Sequence, residues 1–257
     1  MLILLIVMCA LENDVCNLQK QLRQLSLGED EVEYIIEDEV IYRILSIDVG
    51  ITHLGITISI ADKEFKLKEI LFMDLLDITK FPHRSGTSRK DCTLHHSKTF
   101  SDWMEHVFVL YEEYFEQCEY ILIERQPPMG LVAVEQLVFS RYRNKSHLIS
   151  PNSMHKFFNI GKLEYEMRKK ITEKICRSQL TEPGLIEQYD SYNRKHDIAD
   201  SVCLMLFWLN QRHTEYIDNQ RMIRIRNTKM IFRNTDMTMN EWFEQFRYVP
   251  RSRIQSI

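Results

Sequence analysis

The chain has 257 residues, of which 44% are apolar and 27% charged, and its formal net charge is −4. These values describe a globular protein with a sizeable core, built as one large domain or as two. They exclude collagen-like, disulfide-scaffold and fully disordered proteins, because the chain holds only 7 glycines, 6 prolines and 6 thinly spread cysteines.

Residues 1–40 are predicted to be an acidic appendage, partly helical or disordered. Nine acidic residues against Lys20 and Arg23 give it a net charge of −7, so residues 41–257 carry +3. Its apolar run 1–11 is too short to span a bilayer and lacks the basic start of a signal peptide, so no membrane partner is expected. The run is either an interfacial or partner-binding helix or a segment ahead of a later start at Met8 rather than Met1.

The structured domain is predicted to span residues 41–212 and to begin with three strands joined by short connections. Two further short strands alternate with helices, which gives the element order β-β-β-α-β-α-β-α-α. This order predicts an α/β domain with a mixed five-stranded sheet flanked by helices on both faces. The strands are placed at 41–48, 56–60, 65–76, 120–123 and 147–149, and the helices at 100–115, 131–143, 162–180 and 194–210.

Two basic stretches lie in this nominally acidic chain. Residues 141–177 carry a net charge of +7 and residues 221–257 carry +5. Each stretch alone is explained about equally by a solvated helix face and by a surface that binds a polyanion. Residues 213–257 are predicted to be a basic C-terminal extension, either an additional phosphate-binding arm or a solvated tail.

The cysteines indicate a reducing, intracellular compartment. They form no CxxC pair and no regular spacing, so neither a zinc site nor a disulfide framework is expected. Most are interpreted as core thiols. They are Cys9, Cys16, Cys92, Cys118, Cys176 and Cys203.

Four carboxylates lie at the ends of apolar strands or at the start of an apolar helix, where acidic residues are uncommon. Asp48 ends a β-rich run, Glu124 closes the apolar run 120–123, and Asp197 and Asp200 lie one turn apart at the start of an apolar helix. Taken singly, each is explained as a polar strand end or as a first-turn acid favoured by the helix dipole. Because ligands gather where neighbouring strands end in α/β sheets, we expect the four to converge.

Oxygen ligands without a converging Cys or His select hard divalent cations, here Mg²⁺, with Mn²⁺ able to substitute. Two such ions about 3.5–4 Å apart activate water and stabilise the leaving oxygen in phosphodiester cleavage. The carboxylate set therefore predicts a metal-dependent phosphodiesterase site.

In order and spacing, the chain resembles the RuvC-like Holliday junction resolvases through four runs of residues. The resemblance is to the poxvirus and large DNA virus branch, and the fungal mitochondrial resolvases are also similar. It covers about residues 41–210. The runs are ILSIDVGITHLG (44–55), YILIERQPP (120–128), LISP (148–151) followed by EMRKK (166–170), and KHDIADS (195–201).

This resemblance implies an RNase H-like fold and a homodimer that makes paired, Mg²⁺-dependent nicks in four-way DNA junctions during recombination, repair or concatemer resolution. It implies metal-binding catalytic roles for Asp48, Glu124, Asp197 and Asp200, and charge stabilisation or a phosphate contact by Lys169 or Lys170. The resemblance implies a viral protein located at replication sites in the host cytoplasm or nucleus. A mitochondrial location is a weaker implication. The predicted DNA-binding residues are Arg125, Gln126, Arg141, Arg143, Lys145, Lys162, Arg168, Lys169 and Lys170.

The chain departs from the resolvase pattern in two segments, and its sequence is also compatible with three other functions. The acidic residues 1–40 have no counterpart in the family, and residues 213–257 exceed its compact core. Arg125 and Gln126 either contact DNA or brace the site. The alternatives to a resolvase are another RNase H-like nuclease acting on flaps or RNA–DNA hybrids, a junction-binding protein without catalysis, and an unrelated α/β protein with surface acids.

Overall fold

The computed structural model describes residues 40–82, 92–127 and 132–234, with side chains up to residue 226. Its five strands form one sheet in the order β3-β2-β1-β4-β5. β2 is antiparallel to β1 and β3, whereas β4 is parallel to β1 and β5 is parallel to β4. The predicted mixed five-stranded sheet is thereby confirmed. The strands are β1 (Ile41–Val49), β2 (His53–Asp62), β3 (Leu67–Asp77), β4 (Tyr120–Glu124) and β5 (Ser146–Ile149).

Seven described helices accompany the sheet, together with a 3-10 turn at Ile78–Lys80. Residues 1–39 and 235–257, which hold nearly all of the predicted appendage and part of the predicted extension, lie outside the described residues. Among the helices described, none is both long enough and apolar enough to cross a membrane. The helices are α1 (Phe100–Leu110), α2 (Glu112–Gln117), α3 (Val132–Arg141), α4 (Pro151–Phe157), α5 (Tyr165–Gln179), α6 (Pro183–Ser191) and α7 (Lys195–Asn234).

The helix boundaries differ from the sequence prediction in three ways. The single helix predicted for 100–115 is two helices that meet at Tyr111, whose hydroxyl donates to the Asp74 carboxylate of β3. Helices α4 and α6 were not predicted; each begins at a proline, which fits the first helical turn because no backbone N–H is needed there. The helix predicted to end near residue 210 continues to Asn234, across the expected boundary at 212.

The two faces of the sheet carry separate apolar cores, and β1 supplies both. Leu45, Ile47 and Val49 point to the face covered by α1, α2 and α3, whereas Ile44 packs into the core shared with α5 and α7. Because side chains alternate along a strand, Asp48 lies on the same face as Ile44. The carboxylate at the end of β1 therefore faces α7.

The first turns of α7 lie directly against β1 and β2. Ser46 Oγ donates to the backbone oxygen of Ser201 at 2.7 Å, and Thr57 Oγ1 and Ser201 Oγ share a hydrogen bond of 2.5 Å. All three side chains are buried, so these hydrogen bonds satisfy groups that would otherwise be costly to bury. The strand register pairs Ser46 with Thr57, which makes them one polar anchor for the helix.

Gly55 permits this close contact. A Cβ atom at this position would stand 2.0 Å from the backbone oxygen of Asp197, a distance that no side chain tolerates. In the β1–β2 register Gly55 is the partner of Asp48. The absent side chain therefore lets the helix bring Asp197 down onto the strand pair that carries Asp48.

Substitution of Gly55 by alanine should move α7 away from the sheet. The clash is with backbone, which cannot rotate away, so we expect the free energy of unfolding to fall by about 1–3 kcal/mol. Gly184→Ala is the matched control, because its Cβ would meet only a flexible Glu182 side-chain oxygen at 3.7 Å. Urea unfolding followed by circular dichroism measures both. Equal stability of Gly55→Ala and Gly184→Ala would contradict the assigned close contact.

Candidate active site

The structure brings the four predicted carboxylates together at one edge of the sheet. Asp48 and Glu124 follow the paired residues Ile47 and Ile123, at the carboxyl ends of two neighbouring parallel strands. Asp197 and Asp200 lie in the first two turns of α7, above these strand ends. Asp48 and Glu124 lie close enough that each carboxylate changes the pKa of the other.

Burial and mutual repulsion make these acids hard to ionise. Burial raises the pKa of Asp48 well above its usual range, and the charges of Glu124 and Asp200 raise it further. Burial also raises the pKa of Glu124, although its hydrogen bonds to Asp48 and Gln126 act in the opposite direction. A positive charge beside Asp48 and Glu124 would favour their ionised forms.

Asp200 combines the same repulsion with two partners on α5. Burial raises its pKa to about 7, and the charges of Glu124 and Asp197 act in the same direction. A hydrogen bond from Thr172 and the charge of Lys169 lower the pKa in part. The buried Thr172, which the sequence interpretation missed, thus lies beside Asp200, and its hydroxyl also donates to the Lys169 backbone oxygen at 3.1 Å.

The donor set fits a hard divalent cation. The four side chains offer only carboxylate oxygens, which is the ligand type that Mg²⁺ and Mn²⁺ prefer. Burial is the main cause of the raised pKa values of Asp48, Glu124 and Asp200, and the charges of neighbouring carboxylates act in the same direction. A bound dication would favour the ionised carboxylates, so the residues present are compatible with the predicted metal.

Gln126 braces Glu124. Its side-chain amide donates to Glu124 Oε2 at 2.7 Å and to the backbone oxygen of Val49 at 3.0 Å. Its backbone N–H donates to Oε2 of Glu135 at 2.6 Å. Glu135 is buried on α3, and no motif singled it out in the sequence. Gln126 thus holds the ends of β1 and β4 together, while its predicted contact with DNA stays a prediction.

Arg194 was also missed from the sequence. Its guanidinium forms a forked pair with Asp197, with Nε 2.7 Å from Oδ2 and Nη2 3.3 Å from Oδ1. His196 Nε2 lies 3.0 Å from Asp197 Oδ1. About half of the Arg194 side chain is exposed. The sequence carries one sign of this pair. Arg194 comes three residues before Asp197 at the start of a helix, and side chains at that spacing lie on the same face.

The two predicted lysines on α5 differ in their surroundings. Lys169 is partly buried, its Nζ lies 4.0 Å from the centre of the Tyr165 ring, and its charge lowers the pKa of Asp200. Lys170 is exposed. Since successive residues on a helix point about 100° apart, only one of the two can face α7 in this way. Lys169 is therefore the lysine that acts on the carboxylate cluster.

The other predicted DNA-binding residues fall into two groups. Arg125 follows the site strand directly and is exposed, while Lys162 and Arg168 lie just before and on α5. The second group precedes β5, at the sheet edge opposite the carboxylates, because β4 and β5 are parallel to β1. There Arg141 pairs with Glu105 at 2.9 Å, Arg143 lies over Phe139, and Lys145 donates to the Glu116 backbone oxygen. Contact of either group with DNA stays a prediction.

No family model and no curated protein matches the chain significantly. Among solved structures, the chain is similar to the Fowlpox virus resolvase in complex with its substrate Holliday junction DNA. The two chains have 18% sequence identity and a TM-score of 0.48, and the match covers 66% of this chain and 97% of that chain. The Fowlpox virus Holliday junction resolvase alone has 16% identity and a TM-score of 0.46, with coverage of 67% and 99%. Thermus thermophilus RuvC has 15% identity and a TM-score of 0.39, with coverage of 67% and 96%.

The raised pKa values predict how the stability of the metal-free protein depends on pH. Asp200 has a pKa near 7 in the folded state and about 3.9 when unfolded, so between these values the folded state binds more protons. The free energy of unfolding should therefore fall as pH rises through this window. Asp200→Asn should reduce the fall by about 1–3 kcal/mol, as measured by chemical unfolding at pH 5 and pH 8 with chelator present.

Asp218→Asn serves as the control for this comparison. Asp218 is an exposed acid on the same helix, where it contacts only Arg221 at 3.7 Å among its charged partners in the described part of the chain. Its variant should follow the wild-type pH dependence. If Asp200→Asn also follows the wild type, Asp200 is not the group that titrates.

Proposed function

We propose that this chain is an Mg²⁺-dependent endonuclease that resolves four-way DNA junctions by paired nicking. The observation that carries the proposal is the convergence of Asp48, Glu124, Asp197 and Asp200 at the carboxyl edge of an RNase H-like sheet. The raised pKa values of Asp48, Glu124 and Asp200 are typical of acids arranged to serve a cation. The reaction that such an oxygen-only site supports is hydrolysis of a phosphodiester.

The protein's own groups hold and orient the reacting partners. Asp48 and Glu124 present their oxygens from the two rigid strand ends, and Gln126 keeps Glu124 directed at Asp48. Asp200 lies beside Thr172 of α5. When bound, Mg²⁺ supplies activation of a water molecule and neutralisation of charge on the phosphate. Lys169, a cation already close to Asp200, offsets the charge that develops at the scissile phosphate.

Arg194 provides a second cation with freedom to change partners. In the metal-free protein it neutralises Asp197, and about half of its side chain is exposed. Asp197 would be one of the residues that hold the metal, and the charge of the cation would reduce its need for the guanidinium. Arg194 would then be available to bind a backbone phosphate, for which a planar guanidinium is well suited.

The junction preference requires two copies of the chain. One carboxylate cluster cuts one strand, whereas resolution needs nicks in two opposing strands. A two-fold homodimer that meets a nearly two-fold junction presents one cluster to each strand. Contacts to phosphates rather than to bases make binding follow DNA shape and weaken with salt.

Removal of one carboxylate tests the site. Asp48→Asn and Asp200→Asn keep the size and shape of the side chain but remove its charge, so we expect cleavage of a synthetic four-way junction to fall at least about 100-fold. Asp218→Asn, far along the same helix, should cleave like the wild type. Gel analysis of strands labelled at each of the four ends measures the rate and shows whether nicks are paired.

The substrate panel separates the alternatives. A resolvase cuts the junction in two symmetric strands and leaves linear duplex intact at equal Mg²⁺. Faster cleavage of a flap or of an RNA–DNA hybrid would identify a different nuclease on the same fold. Junction binding without cleavage in Mg²⁺ or Mn²⁺ would contradict the enzymatic proposal, and wild-type rates for Asp48→Asn would contradict the site.

The adjacent lysines give an internal comparison for charge stabilisation. Lys169→Met keeps the length and apolar stem of the side chain but removes a cation beside Asp200, so kcat should fall roughly 10-fold. Lys170→Met removes an exposed cation, and its effect should be smaller and should appear in KM rather than kcat. Single-turnover kinetics on the junction measure both. A larger kcat loss for Lys170→Met would reverse the assignment.

A further inference from the structure

A second cluster of potential ligands lies apart from the carboxylates, on the segment that leads into α1. Cys92 and His96 belong to this segment and His106 lies on α1. One ligand atom from each of the three side chains lies within 4.8 Å of the others. Cys92 and His96 are partly buried, and His106 is only 1% exposed.

The hydrogen bonding of His106 directs a lone pair into this cluster. Its Nδ1 lies 2.7 Å from the backbone oxygen of Asp102, an atom that only accepts, so Nδ1 carries the proton. Nε2 of the neutral ring then presents its lone pair, and it lies 3.5 Å from Cys92 Sγ. Histidines that bind metals usually donate their other ring N–H to a carbonyl or carboxylate in this way.

The distances also suit a tetrahedral ion. A zinc ion with bonds of about 2.3 Å to sulfur and 2.0–2.1 Å to nitrogen separates these ligand atoms by about 3.6 Å. The Cys92–His106 separation already matches this value, and a ligand pair at the limit of 4.8 Å would need to approach by about 1.2 Å. A hydrogen bond between the Cys92 thiol and the His106 imidazole explains why these two side chains are close. It does not explain why His96 also approaches them.

The surroundings hold the cluster in place. The Phe81 ring lies 5.0 Å from each imidazole ring, centre to centre, and the two imidazoles are 4.8 Å apart. At the start of α1, Asp102 Oδ2 accepts from the backbone N–H and the hydroxyl of Ser97, and Thr99 caps the helix. The backbone that carries His96 is thus fixed to the helix that carries His106.

We propose that Cys92, His96 and His106 bind a zinc ion that fastens the segment 92–99 to α1. A thiolate with two imidazoles selects zinc over Mg²⁺, which prefers oxygen ligands. The described residues supply three ligands, which leaves one tetrahedral position for water or another donor. The sequence interpretation expected no zinc site because it considered only paired cysteines, whereas these ligands come from one loop and one helix.

This site is independent of the proposed nuclease activity. None of its ligands belongs to the carboxylate set, and its readouts are metal content and stability rather than cleavage. Zinc bound loosely by carboxylates is removed by a wash with excess Mg²⁺. Cobalt substitution then identifies the ligand, because only a thiolate ligand gives an intense charge-transfer band in the near ultraviolet.

The test uses the full-length chain, loaded with Zn²⁺ or Co²⁺ and washed with Mg²⁺. We expect about one ion per chain by elemental analysis, a thiolate–cobalt band, and a lower Tm after chelation. Cys92→Ser and His96→Gln should hold less than one tenth of the wild-type metal. Two matched controls should retain it: His95→Gln, the exposed neighbour of His96, and Cys118→Ser, a buried thiol elsewhere in the sheet core.

The wild-type chelation measurement needs no substitution, so it remains decisive if a variant fails to fold. Absence of bound metal in the washed wild type overturns the proposal. So does a cobalt derivative without a thiolate band, or a folded Cys92→Ser that retains full metal. Loss of junction cleavage with intact zinc binding would contradict only the proposed nuclease function.

Discussion

The close contact between α7 and β2 is the constraint on which the candidate site depends. At Gly55 the strand offers no side chain, and the backbone of Asp197 occupies the space that one would fill. Ser46, Thr57 and Ser201 secure the same contact with buried hydrogen bonds. Without this contact, Asp197 and Asp200 on the helix would lie apart from Asp48 and Glu124 on the strands. The four carboxylates would then not form one cluster.

This cluster has a cost, which the surrounding residues limit without removing it. Gln126 and Glu135 steady one strand end, Thr172 lowers the pKa of Asp200 in part, and Arg194 neutralises Asp197. The pKa values of Asp48, Glu124 and Asp200 remain raised despite these partners. The fold therefore sacrifices stability at this edge, which is typical of sites arranged for a bound ion rather than for packing.

The sheet could be predicted from the pattern of apolar residues along each strand. The convergence of the four acids could be predicted because ligands bind where neighbouring strands of an α/β sheet end. Strand ends that share a direction share an edge, so Asp48 and Glu124 had to be close. The break at Tyr111 could not be predicted, since it depends on Asp74 on another strand. Helices α4 and α6 were not predicted, although each begins at a proline, which fits a first turn. The partners Thr172, Glu135 and Arg194 belong to no motif.

The length of α7 fixes more than the position of two acids. With 40 residues at 1.5 Å each, the helix is about 60 Å long. Its contacts with the sheet layer run from Asp197, beside Gly55, to His213, whose Nδ1 lies 2.7 Å from the Glu64 backbone oxygen, so about half of the helix continues beyond them. Backbone hydrogen bonds set the spacing of the side chains along this second half. Arg212, Arg221 and Arg226 stand at set intervals from Asp200 along α7. Insertion of one residue between them would advance every later cation by about 1.5 Å and rotate it by about 100°.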